Sequence, residues 1–245
     1  MAKLDDPGLF GRQWAADYDS PDLPDPAPAA EFLAGLAGGG PALELAIGSG
    51  RVALPLAARG VPVEGIEASP EMIELMRRKP GSDVISVEVG DMADVAVRGH
   101  YPLVYLIFNT LFNLTAPGRQ EECFQNVARA LTPGGRFVVE AFVPDPADFD
   151  RDEQQVQVRS VTEEAVTVRL HQYDREAQTF VRQTITFTDG AVRLKPFGMR
   201  YLWPEQIDAL ATGAGLVLED RFATWRRDPF GPESSDHVSV YRKPG

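Results

Sequence analysis

The sequence predicts an α/β fold: a mostly parallel, seven-stranded sheet covered by helices, with an antiparallel β segment inserted before the last elements. Three observations carry this expectation. Between Pro41 and Pro144, short β-rich apolar runs alternate with helical patterns, the order that builds a parallel sheet buried on both faces. After residue 150 the texture changes to polar/apolar alternation through four segments. The first apolar run, "ALELA", passes directly into Gly48 and Gly50 and then a helical pattern, the strand–turn–helix opening of a doubly wound sheet.

Residues 1–40 hold two short amphipathic stretches punctuated by prolines and read as a lid and a lead-in helix. Residues 41–146 form the ligand-binding core, with strands at "ALELA", "PVEGIE", "VISVEV", "PLVYLIF" and "RFVVEAFV". Helices are expected near 50–58, 70–78 and 117–131, the last stopped by "LTPGG". Residues from about 152 to 202 give an antiparallel cap with "TDG" as a hairpin turn. Residues 203–245 complete the main sheet with a helix over about 204–212 and strands near 215–224 and 236–242, so the chain reads as one domain.

Composition narrows the partners. The 245 residues are 44% hydrophobic, ample for a core, and 24 Lys+Arg against 36 Asp+Glu leave a net charge of -12, which repels phosphate backbones. No nucleic-acid partner is expected. Neither a basic, apolar leader nor a bilayer-length apolar run is present, and the single Cys123 forms no internal disulfide, so a cytoplasmic protein with no membrane partner is expected. No His/Cys cluster has metal spacing, and no metal is expected.

Glu44 stands inside the first buried run. A carboxylate there needs hydrogen-bond donors, from the glycine turn or from a ligand amine. Glu67 ends the second strand 17 residues after Gly50, where an acidic side chain can accept ribose hydroxyls; the plainer alternative is an N-cap, a role for which Ser69 is better placed. Asp91 and Met92 lie just past the third strand, suited to an adenine amino group and ring, and equally to an ordinary turn.

Taken in order, "LELAIGSGR", "GIEASPEM", "GDM" and "LTPGGRFVVEAF" resemble the class I S-adenosylmethionine-dependent methyltransferases, whose fold is Rossmann-like. The resemblance implies that Glu44, Gly48 and Gly50 border the methionine part of S-adenosylmethionine, that Glu67 binds its ribose, and that Asp91 with Met92 holds adenine. Ala46, Ala68 and Phe108 complete the implied cofactor set. Ala46 stands where the family usually has its first glycine. The "YD" at Tyr18 is similar to the N-terminal segment of glycine and amino-sugar N-methyltransferases.

The implied activity is methyl transfer to the N, O or C atom of a small-molecule acceptor, a secondary metabolite or an amine, leaving S-adenosylhomocysteine. A homodimer is a possible assembly. Tyr18, Asn109, His171 and His237 are the candidate catalytic residues, with Glu140 as a further base; His100 reads as a surface turn. A neutral amine needs no base, whereas a hydroxyl or carbon benefits from one. Trp14, Phe112, Phe142, Tyr201 and Trp203, with Tyr18 and Tyr173, are expected to enclose the acceptor in an aromatic box, while Arg226 and Arg227 either recognise an acidic group on it or form an ordinary exposed basic pair. Two alternatives remain. Gly48, Gly50 and Ala53 also fit the G-x-G-x-x-A of an NAD(P)-dependent oxidoreductase, and the same core can act as a non-catalytic sensor of S-adenosylmethionine.

Overall fold

A computed structural model describes residues 4–19, 23–94, 100–145 and 154–245. The N-terminal segment forms α1 (Leu9–Trp14), a 3-10 turn at Ala15–Asp17 and α2 (Ala27–Ala37). Next come β1 (Ala42–Leu45), α3 (Ala53–Ala57), β2 (Val63–Glu67), α4 (Pro70–Arg77) and β3 (Ser86–Val89). They are followed by β4 (Tyr101–Leu106), a 3-10 turn at Thr110–Asn113, α5 (Arg119–Ala130) and β5 (Leu131–Phe142). Four strands succeed one another, β6 (Gln154–Val161), β7 (Ala165–Asp174), β8 (Thr179–Thr188) and β9 (Ala191–Arg200). The chain closes with α6 (Pro204–Gly213), β10 (Val217–Phe222) and β11 (Asp236–Arg242).

The main sheet has seven strands in the order β3-β2-β1-β4-β5-β11-β10. Pairing is parallel from β3 to β5, and β11 runs antiparallel to both β5 and β10. Strands β6 to β9 form a separate antiparallel sheet, the expected cap. The expected boundaries at 146 and 152 lie outside the described residues. No helix among the described residues is long and apolar enough to cross a membrane.

The near-continuous apolar runs follow from burial on both faces. Successive side chains of β4 point opposite ways, so Leu103 and Tyr105 pack with Phe32, Leu33 and Leu56 of α2 and α3, while Val104 and Leu106 pack with Phe124 and Val127 of α5. The carboxyl ends of the parallel strands are thereby held in one row, where the site is built. Helix α4 starts at Ser69, whose hydroxyl accepts the Met72 N–H at 3.3 Å, with Pro70 in the first turn.

Two boundaries differ from the sequence expectation for local reasons. Helix α3 starts at Ala53 rather than near residue 50 because Gly50 is left-handed, with φ +71°. The segment "LTPGG" does not follow α5 as a stop: Leu131 already pairs with Tyr101, and the segment belongs to β5, with an irregularity opposite Tyr101–Leu103. Strand pairing, rather than Pro133, ends that helix.

The cap sheet has two unlike faces. Cross-strand neighbours share a face, so Arg182 lies between His171 and Phe197, and Thr184 lies between Arg169 and Lys195, on the face turned to the core. The opposite face carries Val156, Val158, Val181, Phe187, Val192 and Leu194, each at least 36% exposed.

The lid docks between cap and core. Phe10 lies 5.6 Å from the Phe197 ring and 5.7 Å from that of Tyr18, centroid to centroid. Gly11 permits the approach of α1 to α4: a Cβ there would stand 1.9 Å from Ser69 Oγ. Gly11→Ala is therefore expected to lift the lid while sparing the core. S-adenosylhomocysteine affinity measured by calorimetry should fall about tenfold, with thermal stability nearly unchanged. A large drop in stability would instead make α1 part of the core.

Candidate active site

The ends of β1, β2, β3 and β4, the lid and the cap enclose one cavity of about 320 Å³. After β1 the chain turns through Ala46 (φ +51°), Gly48 (φ +57°) and Gly50 (φ +71°). Gly48 lies on the cavity wall, where an added Cβ would come 3.2 Å from Met72 Cε, whereas Gly50 faces Met76. Ala46 adopts the left-handed conformation expected of a glycine, at a cost of roughly 1 kcal/mol.

Glu67, at the end of β2, ties this turn to α4. Its Oε2 accepts the Gly48 N–H at 2.8 Å and its Oε1 the Ser69 N–H at 2.9 Å. Burial raises its pKa above the ordinary carboxylate value. Glu67 and Ala68 both line the cavity. Past β3, Asp91 accepts the Ala93 N–H at 2.9 Å and pairs with Arg119 at 3.0 Å, and both Asp91 and Met92 face the cavity.

At the end of β4, Phe108 (φ +58°) and Asn109 (φ +62°) are consecutive left-handed residues, a strained arrangement for non-glycines. It is held by Glu140, whose Oε2 accepts the Phe108 N–H at 2.8 Å, and by Asn109 Oδ1, which accepts the Phe142 N–H at 2.6 Å. The other Glu140 oxygen accepts Trp225 Nε1–H at 2.7 Å, so this carboxylate braces β4 and lies outside the cavity. The adjoining turn brings Thr110, Asn113 and Leu114 to the wall, and Asn113 Oδ1 is buried with no hydrogen-bond partner.

Of the expected residues, Tyr18, Ala46, Gly48, Glu67, Ala68, Asp91, Met92, Phe108 and Asn109 converge on the cavity. Others are placed elsewhere. Glu44 sits behind the turn, fully buried, accepting Tyr105 Oη–H at 2.9 Å. His171 lies in the cap beside Tyr173 and Phe180, outside this cavity. His237 is buried on β11, with Nδ1 2.8 Å from Ser239 Oγ, and borders an adjoining hollow. Burial and Arg221 depress its pKa to about 4.

The expected aromatic box is differently composed. Phe112 is buried against Phe142 at 4.9 Å, Tyr201 and Trp203 seal the junction of cap and α6 in the core, and Trp14 lies beneath Lys195. Tyr173 packs on Phe180 within the cap. Of the expected aromatics Tyr18 lines the cavity, joined there by Phe10, Phe197 and Met199, with Arg182 among them. Arg227 is exposed and stacks on Phe32 and Phe222, and Arg226 is exposed beside it, both away from the cavity. Sequence reasoning also gave no role to Asp19, next to Tyr18 in the "YD" pair, which accepts Ser49 Oγ–H at 2.8 Å and pairs with Lys79 at 2.8 Å, latching the lid to the glycine turn.

The comparisons with known proteins agree with this architecture. A methyltransferase-domain family model matches residues 42–135. The demethylmenaquinone methyltransferase of Thermus thermophilus is 35% identical over 189 residues, 75% of this chain and 77% of that one. The cypemycin N-terminal methyltransferase of a Streptomyces species is 27% identical over 207 residues, 82% of each chain. Among solved structures, the CcbJ methyltransferase from Streptomyces caelestis superposes with a TM-score of 0.89 at 34% identity, covering 98% of this chain and 100% of that one. The chain belongs to the class I S-adenosylmethionine-dependent methyltransferases. It is an enzyme that transfers a methyl group from S-adenosylmethionine, its cofactor, to a small-molecule acceptor, which sets aside the oxidoreductase and sensor alternatives.

Glu44 yields a test of its own. Burial raises its pKa to about 8, so it is largely protonated at neutral pH and supports the turn as a neutral group. A carboxyl whose folded pKa exceeds its unfolded value contributes stability that is full below the unfolded pKa and is lost as pH rises through about 8. Glu44→Gln removes that titration. Its melting temperature should match wild type at pH 5 and exceed it by on the order of 5 °C at pH 9. A difference that does not vary with pH would mean that Glu44 is ionised throughout.

Proposed function

We propose that the enzyme methylates an amine nitrogen of a small metabolite held in the cavity between lid, cap and strand ends. The observation that carries this is Asn113 Oδ1, a buried acceptor on the cavity wall with no donor to satisfy it. An acceptor N–H completes it. Among the described lining residues there is no histidine, and the two carboxylates, Glu67 and Asp91, are engaged by backbone N–H groups. An acceptor that needs no base fits these walls best. The cypemycin relative is named for methylation at an N-terminus, which is also an amine.

The cavity fits the cofactor by the chemistry of its donor set. Bare backbone at Gly48 allows close approach, Glu67 is assigned to ribose hydroxyls and Asp91 with Met92 to adenine, while Ala46, Ala68 and Phe108 border the remainder. Glu44 and Gly50 act from behind by shaping the turn. When bound, S-adenosylmethionine supplies a methyl carbon activated by its positively charged sulfur. The chain's own part is positioning: Asn113 takes an acceptor N–H and so aims the nitrogen lone pair. Tyr18, whose phenol burial keeps neutral, and Phe10 close the cavity to water. Trp14, Phe112, Phe142, Tyr201 and Trp203 support the walls, and neither His171 nor His237 is assigned a proton-transfer role.

The whole chain is read as one working domain: lid 1–40, core 41–146, insertion from about 152 to 202, and completion 203–245. A cytoplasmic setting suits a chain whose single cysteine, Cys123, forms no internal disulfide, and a homodimer suits the outer cap face. That face spans roughly 20 Å by 30 Å, on the order of 600 Å², close to what one partner of a specific interface buries. Apolar side chains dominate it, with Gln172, Gln183 and Asp174 among them, and a second copy of itself is the complement proposed for it. Light scattering should give twice the chain mass for wild type, and the chain mass for Val158→Glu/Leu194→Glu with cofactor affinity unchanged; a monomeric wild type would remove the pairing.

Labelled S-adenosylmethionine offered with small amines and their matched alcohols tests the acceptor atom. Label should enter amines only. Asn113→Leu should lower the single-turnover rate about a hundredfold and leave S-adenosylhomocysteine affinity within threefold. Label entering alcohols but not amines would overturn the proposal.

A further inference from the structure

We infer that the acceptor also carries an anionic group, a carboxylate or a phosphate, which docks on Arg182 at the cap side of the cavity. The inference rests on the cavity being the acceptor site, and it extends the amine assignment to a molecule with both a donor nitrogen and a negative end.

Arg182 sits in the middle of β8 on the core-facing side of the cap and lines the cavity. Its guanidinium lies over the Phe197 ring at 4.7 Å, a stacking that leaves an arginine's in-plane N–H fork free for a planar or tetrahedral oxyanion. Its Nε is buried without a hydrogen-bond partner, and among the described residues no carboxylate pairs with it. Two nearby cations are engaged. Lys195, on the same face, is paired with Asp17 at 2.6 Å, and Arg200 donates to the Thr115 and Ala177 carbonyls.

The neighbours of Arg182 add charge of the same sign. Arg169, one residue pair along on β7, also has a buried Nε without a partner, and Arg159 lies beyond it. Burial and these two charges pull the Arg182 pKa down to about 10, which still leaves it cationic at neutral pH. A half-buried, uncompensated cation is expensive to keep, and in a chain of net charge -12 it is a local exception. A ligand anion supplies the missing charge. Asn113 and Arg182 border the same cavity, so both are open to its contents.

The test uses the enzyme saturated with S-adenosylhomocysteine, which keeps the cofactor's own carboxylate in place. Inorganic phosphate and acetate are titrated separately by calorimetry at constant ionic strength. One of them should bind in the millimolar range, and Arg182→Met should weaken it at least tenfold; Arg182→Lys should fall between. Preference for phosphate or acetate tells a phosphorylated acceptor from a carboxylated one. Because Arg182→Met removes an unpaired charge, it should melt no lower than wild type. The inference is overturned if neither anion distinguishes wild type from Arg182→Met. It is equally overturned if that variant loses S-adenosylhomocysteine affinity tenfold with no anion effect, which would put the guanidinium on the cofactor. Neither readout involves methyl transfer, so failure of the amine assignment and failure of the anion site are told apart.

Discussion

A single carboxylate, Glu67, holds the junction on which the rest of the site depends. It accepts one backbone N–H from the turn after β1 and another from the start of α4, so the ends of two adjacent strands move as one body. Each hydrogen bond to a charged acceptor contributes about 1.5–3 kcal/mol, and leaving two buried N–H groups without it would cost a comparable amount. Similar bracing recurs along the sheet edge: Glu44 under the glycine turn, Asp91 after β3, Glu140 under the left-handed pair after β4. Four acidic side chains thus secure four turns, and two of them, Glu67 and Asp91, also face the cavity. Of these, Glu44 and Glu67 are buried, while Asp91 and Glu140 are half-buried.

On this frame the lid and the cap perform separate tasks. The lid is latched by Asp19 to Ser49 and Lys79, and it reaches the cap through Phe10 on Phe197. The cap, in turn, is joined to the core by Arg200 and by Gln120, whose side-chain amide donates to the carbonyls of Leu111 and Arg200. Enclosure is therefore assembled from three parts of the chain that are distant in sequence, with Tyr18, Asn109 and Arg182 meeting only in three dimensions.

Much of this was legible in the sequence because it is local. Parallel strands buried on both faces read as apolar runs, and a carboxylate or glycine at a strand end is visible from its position alone, which is why Gly48, Glu67, Asp91 and Asn109 stand out. What was not legible depends on register and on which face of a strand is turned inward. Arg182 and Phe197 lie in alternating strands where either set of residues can be the inner one, and only the pairing with the core decides. Tyr201 and Trp203 looked available because they are large and follow the cap, yet the chain there dives back into the core, burying Tyr201 and packing Trp203 against it. His237 gave no sign that β11 would pair beside β5 and enclose it.

The two faces of the cap carry a consequence for how such a protein changes over generations. Along β8, Arg182 and Thr184 look inward while Val181 and Ile185 look outward, so recognition and the apolar exterior occupy alternate letters of one stretch of text. Point substitutions can rewrite either script without smudging the other. An insertion or deletion of one residue has the opposite effect, since it exchanges the two sets across the sheet at a stroke. Drift in what the cap recognises should accordingly proceed letter by letter at inner positions, with strand lengths held fixed and length variation confined to the hairpin tips such as Asp189–Gly190.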